Sequence, residues 1–88
     1  MGVAVEGAYR LDSQVALRPE PFGALCYHYA NRRVTFLTST DMVAVVRALD
    51  GQPSVGDALR AAGVAERRWP AFLAALGSLE ASEVIHAR

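Results

Sequence analysis

Arg33-Val34-Thr35-Phe36-Leu37-Thr38-Ser39-Thr40-Asp41-Met42-Val43-Ala44-Val45-Val46-Arg47-Ala48-Leu49 changes its hydrophobic period halfway along, and that change decides the fold. From Arg33 to Leu37 β-branched and aromatic residues dominate, as they do on a pleated strand. Beyond it, Met42, Val45, Val46 and Leu49 fall at the i, i+3, i+4, i+7 spacing of a one-sided helix. Thr40 stands where a helix cap belongs, with Asp41 in the first turn. The chain upstream of this junction reads as strands, and the chain downstream as helices.

Upstream, Ala24-Leu25-Cys26-Tyr27-His28-Tyr29 is the strongest strand signal. It sets Leu25, Tyr27 and Tyr29 on one face and Ala24, Cys26 and His28 on the other. Ala30-Asn31-Arg32 is a short polar connection to the Arg33–Leu37 strand, with Asn31 suited to a positive-φ position. Val15-Ala16-Leu17-Arg18 supplies a further strand, closed off by Pro19-Glu20-Pro21, since proline cannot donate to a ladder. These three form an antiparallel meander. Residues 1–13 show no sustained period and read as a flexible N-terminal arm anchored at Tyr9 and Leu11, leaving 14–88 as a single domain.

Downstream, Asp50-Gly51-Gln52-Pro53 stops the first helix. Ser54 and Asp57 cap a second, whose apolar face is Val55, Ala58, Leu59 and Ala62 and whose stop is Gly63. A third runs from about Glu66 to Ala81 with Trp69, Phe72, Leu73, Leu76 and Leu79 in one stripe. Pro70 confines its start to Arg67 or later. Val84-Ile85 forms either a short extended piece or the end of that helix. The fold class is α+β: a three-stranded antiparallel sheet followed by three helices, in the manner of a winged helix–turn–helix.

Composition narrows the function. A chain of 88 residues builds one modest core and has no room for a dinucleotide-binding or barrel enzyme. Nine basic residues cancel nine acidic ones, which disfavours binding to a phosphate backbone. One cysteine excludes an internal disulfide, and no apolar run approaches the length of a membrane span. The opening Met1-Gly2-Val3-Ala4-Val5-Glu6 lacks the pattern of a secretory signal, so the expected location is the cytoplasm.

No catalytic constellation is legible. Cys26 and His28 share a strand face, but two ligands are too few for a structural metal site, and His86 sits in the tail. Nothing beyond His28 offers Cys26 a base or an oxyanion site. The glycines form no phosphate-cradling loop, and Glu80 and Glu83 read as a solvated helix end. Neither an enzyme, nor a cofactor, nor a metal is expected. A DNA reader would carry basic residues along its recognition helix, whereas only Arg67 and Arg68 lie in the third helix here, at its start. The notable feature is the edge strand Val34-Thr35-Phe36-Leu37, which has neither a charge nor a proline and can accept an extended peptide. A helix or a second copy of the chain would be the other way to cover it.

Three stretches carry a family resemblance: Tyr9-Arg10-Leu11; Arg18-Pro19-Glu20-Pro21-Phe22-Gly23-Ala24-Leu25 with Tyr27; and Val45-Val46-Arg47-Ala48-Leu49 leading into Asp50-Gly51-Gln52-Pro53-Ser54-Val55. From about residue 9 to residue 85 the chain resembles the mycofactocin precursor-peptide chaperones of the PqqD-like family. The resemblance implies a RiPP recognition element that binds the leader of a ribosomally made precursor peptide. It would present that peptide to a radical S-adenosylmethionine maturase, which itself carries the iron–sulfur clusters. The leader would lie as an added strand on Val34–Leu37, beside the third helix. Helical phase centred near Leu76 selects one shoulder of that helix: Arg68, Phe72, Ala75 and Leu79. Ala75 would admit a backbone, Phe72 and Leu79 would wall a pocket, and Arg68 would pair with an acidic leader residue. The family often has glycine before the last apolar pair, where this chain has Glu83. Two alternatives stay open: a small winged-helix DNA binder, and a homodimeric structural protein that covers this edge with its own copy when no peptide is bound.

Overall fold

The computed structural model describes residues 2–88; Met1, the first residue of the expected arm, lies outside the described residues. Strands β1 (Tyr9–Leu11), β2 (Val15–Glu20), β3 (Gly23–His28) and β4 (Val34–Leu37) precede helices α1 (Thr40–Ala48), α2 (Val55–Ala61) and α3 (Trp69–Ala81), and β5 (Ile85–Ala87) closes the chain. β2, β3 and β4 form the antiparallel sheet in that order, so the α+β arrangement of three strands followed by three helices is as expected. Ala24, Cys26 and Leu37 of the sheet join Val45, Val46, Leu49, Leu59, Leu76 and Ile85 in one core. The face of β3 bearing Ala24, Cys26 and His28 is therefore the inner one.

β2 runs two residues further than the sequence suggests, through Pro19. The Tyr29 N–H donates to the Gln14 carbonyl, and bonded and non-bonded pairs alternate along an antiparallel ladder. Pro19, opposite Ala24, consequently falls at a non-bonded position of an edge strand, where a missing N–H costs nothing. The β3–β4 hairpin departs in the other direction. Arg32, not Asn31, takes the left-handed conformation, at φ 61°. The Arg32 N–H donates to the His28 carbonyl while the His28 N–H donates to the Arg33 carbonyl, which makes Arg32 the first residue of a β-bulge. Asn31 serves the turn with its side chain, whose Oδ1 accepts from the Arg33 N–H at 2.9 Å.

Ser39, not Thr40, caps α1: its backbone is extended, and its Oγ accepts from the Met42 N–H at 3.2 Å. Ser54 caps α2 as the sequence implies, its Oγ accepting from the Asp57 N–H at 3.1 Å. Glu66–Arg68 form a 3-10 turn ahead of α3, so the third helix begins later than expected, with Pro70 in its first turn. Arg67 and Arg68 therefore precede the helix.

The segment read as an arm carries β1, which pairs antiparallel with β5. Ahead of it, the Val5 and Gly7 carbonyls accept from the Gly56 and Val55 N–H groups, each at 2.8 Å, satisfying donors that α2 cannot satisfy itself. A side chain at Gly56 would strike Val5 at 2.8 Å. Val84-Ile85 is resolved in favour of the extended alternative, with Val84 in the turn and Ile85 in β5.

Candidate functional site

An open groove of about 440 Å³ runs between the free edge of β4 and α3. Thr35, Phe36 and Leu37 form one wall; Phe72, Ala75 and Leu79 form the other; Met42 of α1 also contributes. Arg68 lines the end nearest the start of α3. Seven of the eight residues singled out from the sequence thus surround one furrow. Val34 stands outside it, on the same strand and exposed. Sequence reading missed Thr38, Ser39, Met42, Ala71 and Ser78. Two of these had a usable signal, because Ala71 and Ser78 are the i−4 and i+3 neighbours of Ala75 on the same helical row.

The backbone of the β4 wall has a definite polarity. The bonded pair His28–Arg33 fixes the phase of the β3–β4 ladder, so Thr35 and Leu37 turn their N–H and C=O groups inward, toward Cys26 and Ala24. Val34 and Phe36 turn theirs outward. No strand lies beyond β4, and among the described residues nothing bonds those outward groups. Side chains alternate the other way: Thr35 and Leu37 face the helices, while Val34 and Phe36 stand on the outer face of the sheet, 47% and 59% exposed. Phe36, with its 59% exposure, is not part of the core.

At the groove's end, Arg68 Nη1 donates to Asp41 Oδ2 at 3.0 Å, and the guanidinium lies over the Phe72 ring, 5.1 Å from its centroid. Both partners of the ion pair are about half exposed, so it contributes little to stability and yields readily to a competing anion. Arg68 thereby reaches over the apolar wall from its bond to Asp41.

Elsewhere the titratable groups have structural tasks. Burial pushes the Cys26 thiol up to about 11, which keeps it unreactive. His28 Nδ1 accepts from the Ala30 and Asn31 N–H groups, so its proton resides on Nε2, 3.6 Å from Asp12 Oδ2. Neither ring nitrogen has a lone pair to spare, and the Cys26–His28 pair is unsuited to a metal ion. Asp12 itself bonds His86 and the Gln14 N–H, not His28, and these bonds hold its carboxyl below the usual range; the Gln14 bond is the larger cause. α3 itself contains no basic residue, which leaves a DNA-reading helix without its charge. No helix among the described residues is long and apolar enough to cross a membrane.

No solved structure matches the chain. The sequence model of the Peptide chaperone MftB family matches residues 8–86. A peptide chaperone MftB of Mycobacterium ulcerans (strain Agy99) is 47% identical over 77 residues, spanning 88% of this chain and 71% of the relative. That of Mycolicibacterium smegmatis (strain ATCC 700084 / mc(2)155) is 46% identical over 78 residues, 89% of this chain and 76% of the relative. That of Mycobacterium tuberculosis (strain ATCC 25618 / H37Rv) is 43% identical over 77 residues, with shares of 88% and 71%. With identity at this level across most of both chains, the protein belongs to the Peptide chaperone MftB family, a family of chaperones and not of enzymes.

Proposed function

We propose that this peptide chaperone takes the leader of a ribosomally made precursor peptide as an added strand on β4 and delivers it to a radical S-adenosylmethionine maturase in mycofactocin biosynthesis. The observation that carries the reading is the outward, unbonded backbone at Val34 and Phe36 running alongside an apolar groove. Main-chain bonds to those two residues set the register. Alternate side chains of the leader then point into the groove, between Leu37 on one wall and Phe72, Ala75 and Leu79 on the other. Arg68 receives an acidic leader residue in place of, or beside, Asp41. The iron–sulfur clusters and S-adenosylmethionine belong to the maturase.

Each fully buried apolar anchor contributes about 1.5–3 kcal/mol. Two or three anchors, less the cost of ordering the leader, correspond to a dissociation constant between about nanomolar and micromolar.

Phe36→Pro tests the edge. It deletes an outward N–H and leaves the β3–β4 ladder whole, whereas Thr35→Pro would break an inward bond. Calorimetry with a mycofactocin precursor peptide is expected to show binding abolished, with an unchanged circular dichroism spectrum. Parent-like affinity would overturn the edge assignment, and a doubled mass for the peptide-free chain that persists when peptide is added would favour self-pairing on β4.

A further inference from the structure

The groove accounts for only one face of a strand added to β4. A residue of the guest directly opposite Phe36 has its side chain on the outer face of the sheet, next to the Phe36 ring, because paired residues on neighbouring strands point the same way. That ring already has apolar neighbours on the outer face. Leu25 lies across from it on β3, Val34 precedes it on β4, and Phe22 meets it edge to face with ring centroids 5.9 Å apart. Along the free edge no strand covers it, and Phe36 is 59% exposed although its neighbours are apolar. Phe22 comes from the β2–β3 turn and is itself 44% exposed. An exposed strand edge normally carries charge or proline on its solvent face as a guard against chance pairing. β4 instead presents an aromatic ring held in place by a second one.

From this we infer that the guest strand is read on both faces: its two inward side chains enter the groove, and the residue between them packs against Phe36 and Phe22 on the outer face. The recognised element is then three consecutive apolar residues, the middle one aromatic or β-branched, and not an amphipathic strand with a solvated back. Phe36 becomes a specificity-determining residue through its ring, separately from its backbone. The inference rests on the strand-addition reading above.

A charge scan separates the two. Each residue of a synthetic leader peptide is replaced in turn by Asp, and affinity for the full chain is measured by calorimetry, in parallel for the parent, Phe36→Thr and Ala75→Trp. Phe36→Thr retains the outward N–H and a β-branched side chain, and Ala75→Trp fills the groove. Two-faced reading gives three adjacent positions at which Asp weakens binding roughly tenfold or more. Phe36→Thr weakens the unmodified peptide about fivefold, the scale of a cross-strand aromatic pair, and makes the middle position alone tolerant of further change. Sensitive positions separated by a tolerant one, with Phe36→Thr equal to the parent and Ala75→Trp impaired, would overturn the inference and leave the groove reading standing. If Ala75→Trp and Phe36→Thr both bind like the parent, the peptide lies elsewhere and both readings fall.

Discussion

Gly23 is where a single side chain would do most damage. Its φ of +146° lies in a region that L residues avoid, and a Cβ there would sit 2.1 Å from the Leu37 carbonyl oxygen and 3.1 Å from the Ser39 nitrogen. Those atoms belong to the passage from β4 into α1, so Gly23 sets how closely the β2–β3 turn can approach the groove's β4 wall. Gly23→Ala is expected to cost about 2–4 kcal/mol in urea denaturation. It should also weaken peptide binding, because relief requires Leu37 to move. A variant that melts like the parent would show that the turn and β4 are not tightly coupled. In the sequence this glycine is visible only as part of Arg18-Pro19-Glu20-Pro21-Phe22-Gly23; the close approach involves a residue fourteen positions away and leaves no local trace. Arg32 is similar. The bulge, not residue preference, dictates its positive φ, so a reading by preference settles on Asn31.

At the scale of elements, α2 and α3 end alike. The Gly63 and Val64 N–H groups donate to the Arg60 and Leu59 carbonyls, and the Glu83 and Val84 N–H groups donate to the Glu80 and Leu79 carbonyls. Both are Schellman closures, with the left-handed residue at φ 77° in Gly63 and at 64° in Glu83. Glutamate in place of glycine before Val84 therefore does not alter the turn; it strains it. Glu83→Gly is expected to stabilise the protein by about 0.5–1 kcal/mol, seen as a Tm a few degrees higher. A lower Tm would mean that Glu83 makes a compensating contact. The helix stripes, the Ser54 cap and the Gly63 stop were legible because each depends on residues within one or two turns, whereas the α1 cap and the start of α3 were displaced. The pairing of β1 with β5 was not legible: three residues carry no period, and the register joins Tyr9 to Ala87 across the length of the chain. Asp12 helps secure this small sheet, since its carboxylate accepts from the Gln14 N–H and bonds His86 of β5. Its pKa is depressed in the folded state, so its contribution is full above the ordinary carboxylate value near about 4 and is lost as pH falls through the folded value. Asp12→Asn should therefore lower stability at neutral pH and flatten its decline in acid; denaturation curves from about pH 6 down to about pH 2.5 that run parallel to the parent's would remove Asp12 from that role.

For the whole molecule, the groove exists because residues 35–37 and 68–79 meet across a core built from everything between them. The sequence supplied each wall through its own period, two for the strand and 3.6 for the helix. It could not supply the separation between them, nor Met42 and Ser39, which reach the groove only through the angle at which α1 leaves the sheet. A site made of two distant walls ties binding to global stability, because unfolding separates them. A ligand that binds only the folded chain stabilises it by about 2.7 kcal/mol at a hundredfold excess over its dissociation constant. For a domain of this size each kcal/mol moves the midpoint by about 4–8 °C. Precursor peptide at that excess should accordingly raise the Tm by roughly 10–20 °C, with a single transition retained. The rise should vanish for Phe36→Pro, shrink for Ala75→Trp and persist for Glu83→Gly, whose turn lies away from the groove. An unshifted midpoint at saturating peptide would mean that binding does not bridge the two walls, since a ligand held by β4 and α3 together cannot stay bound once they part.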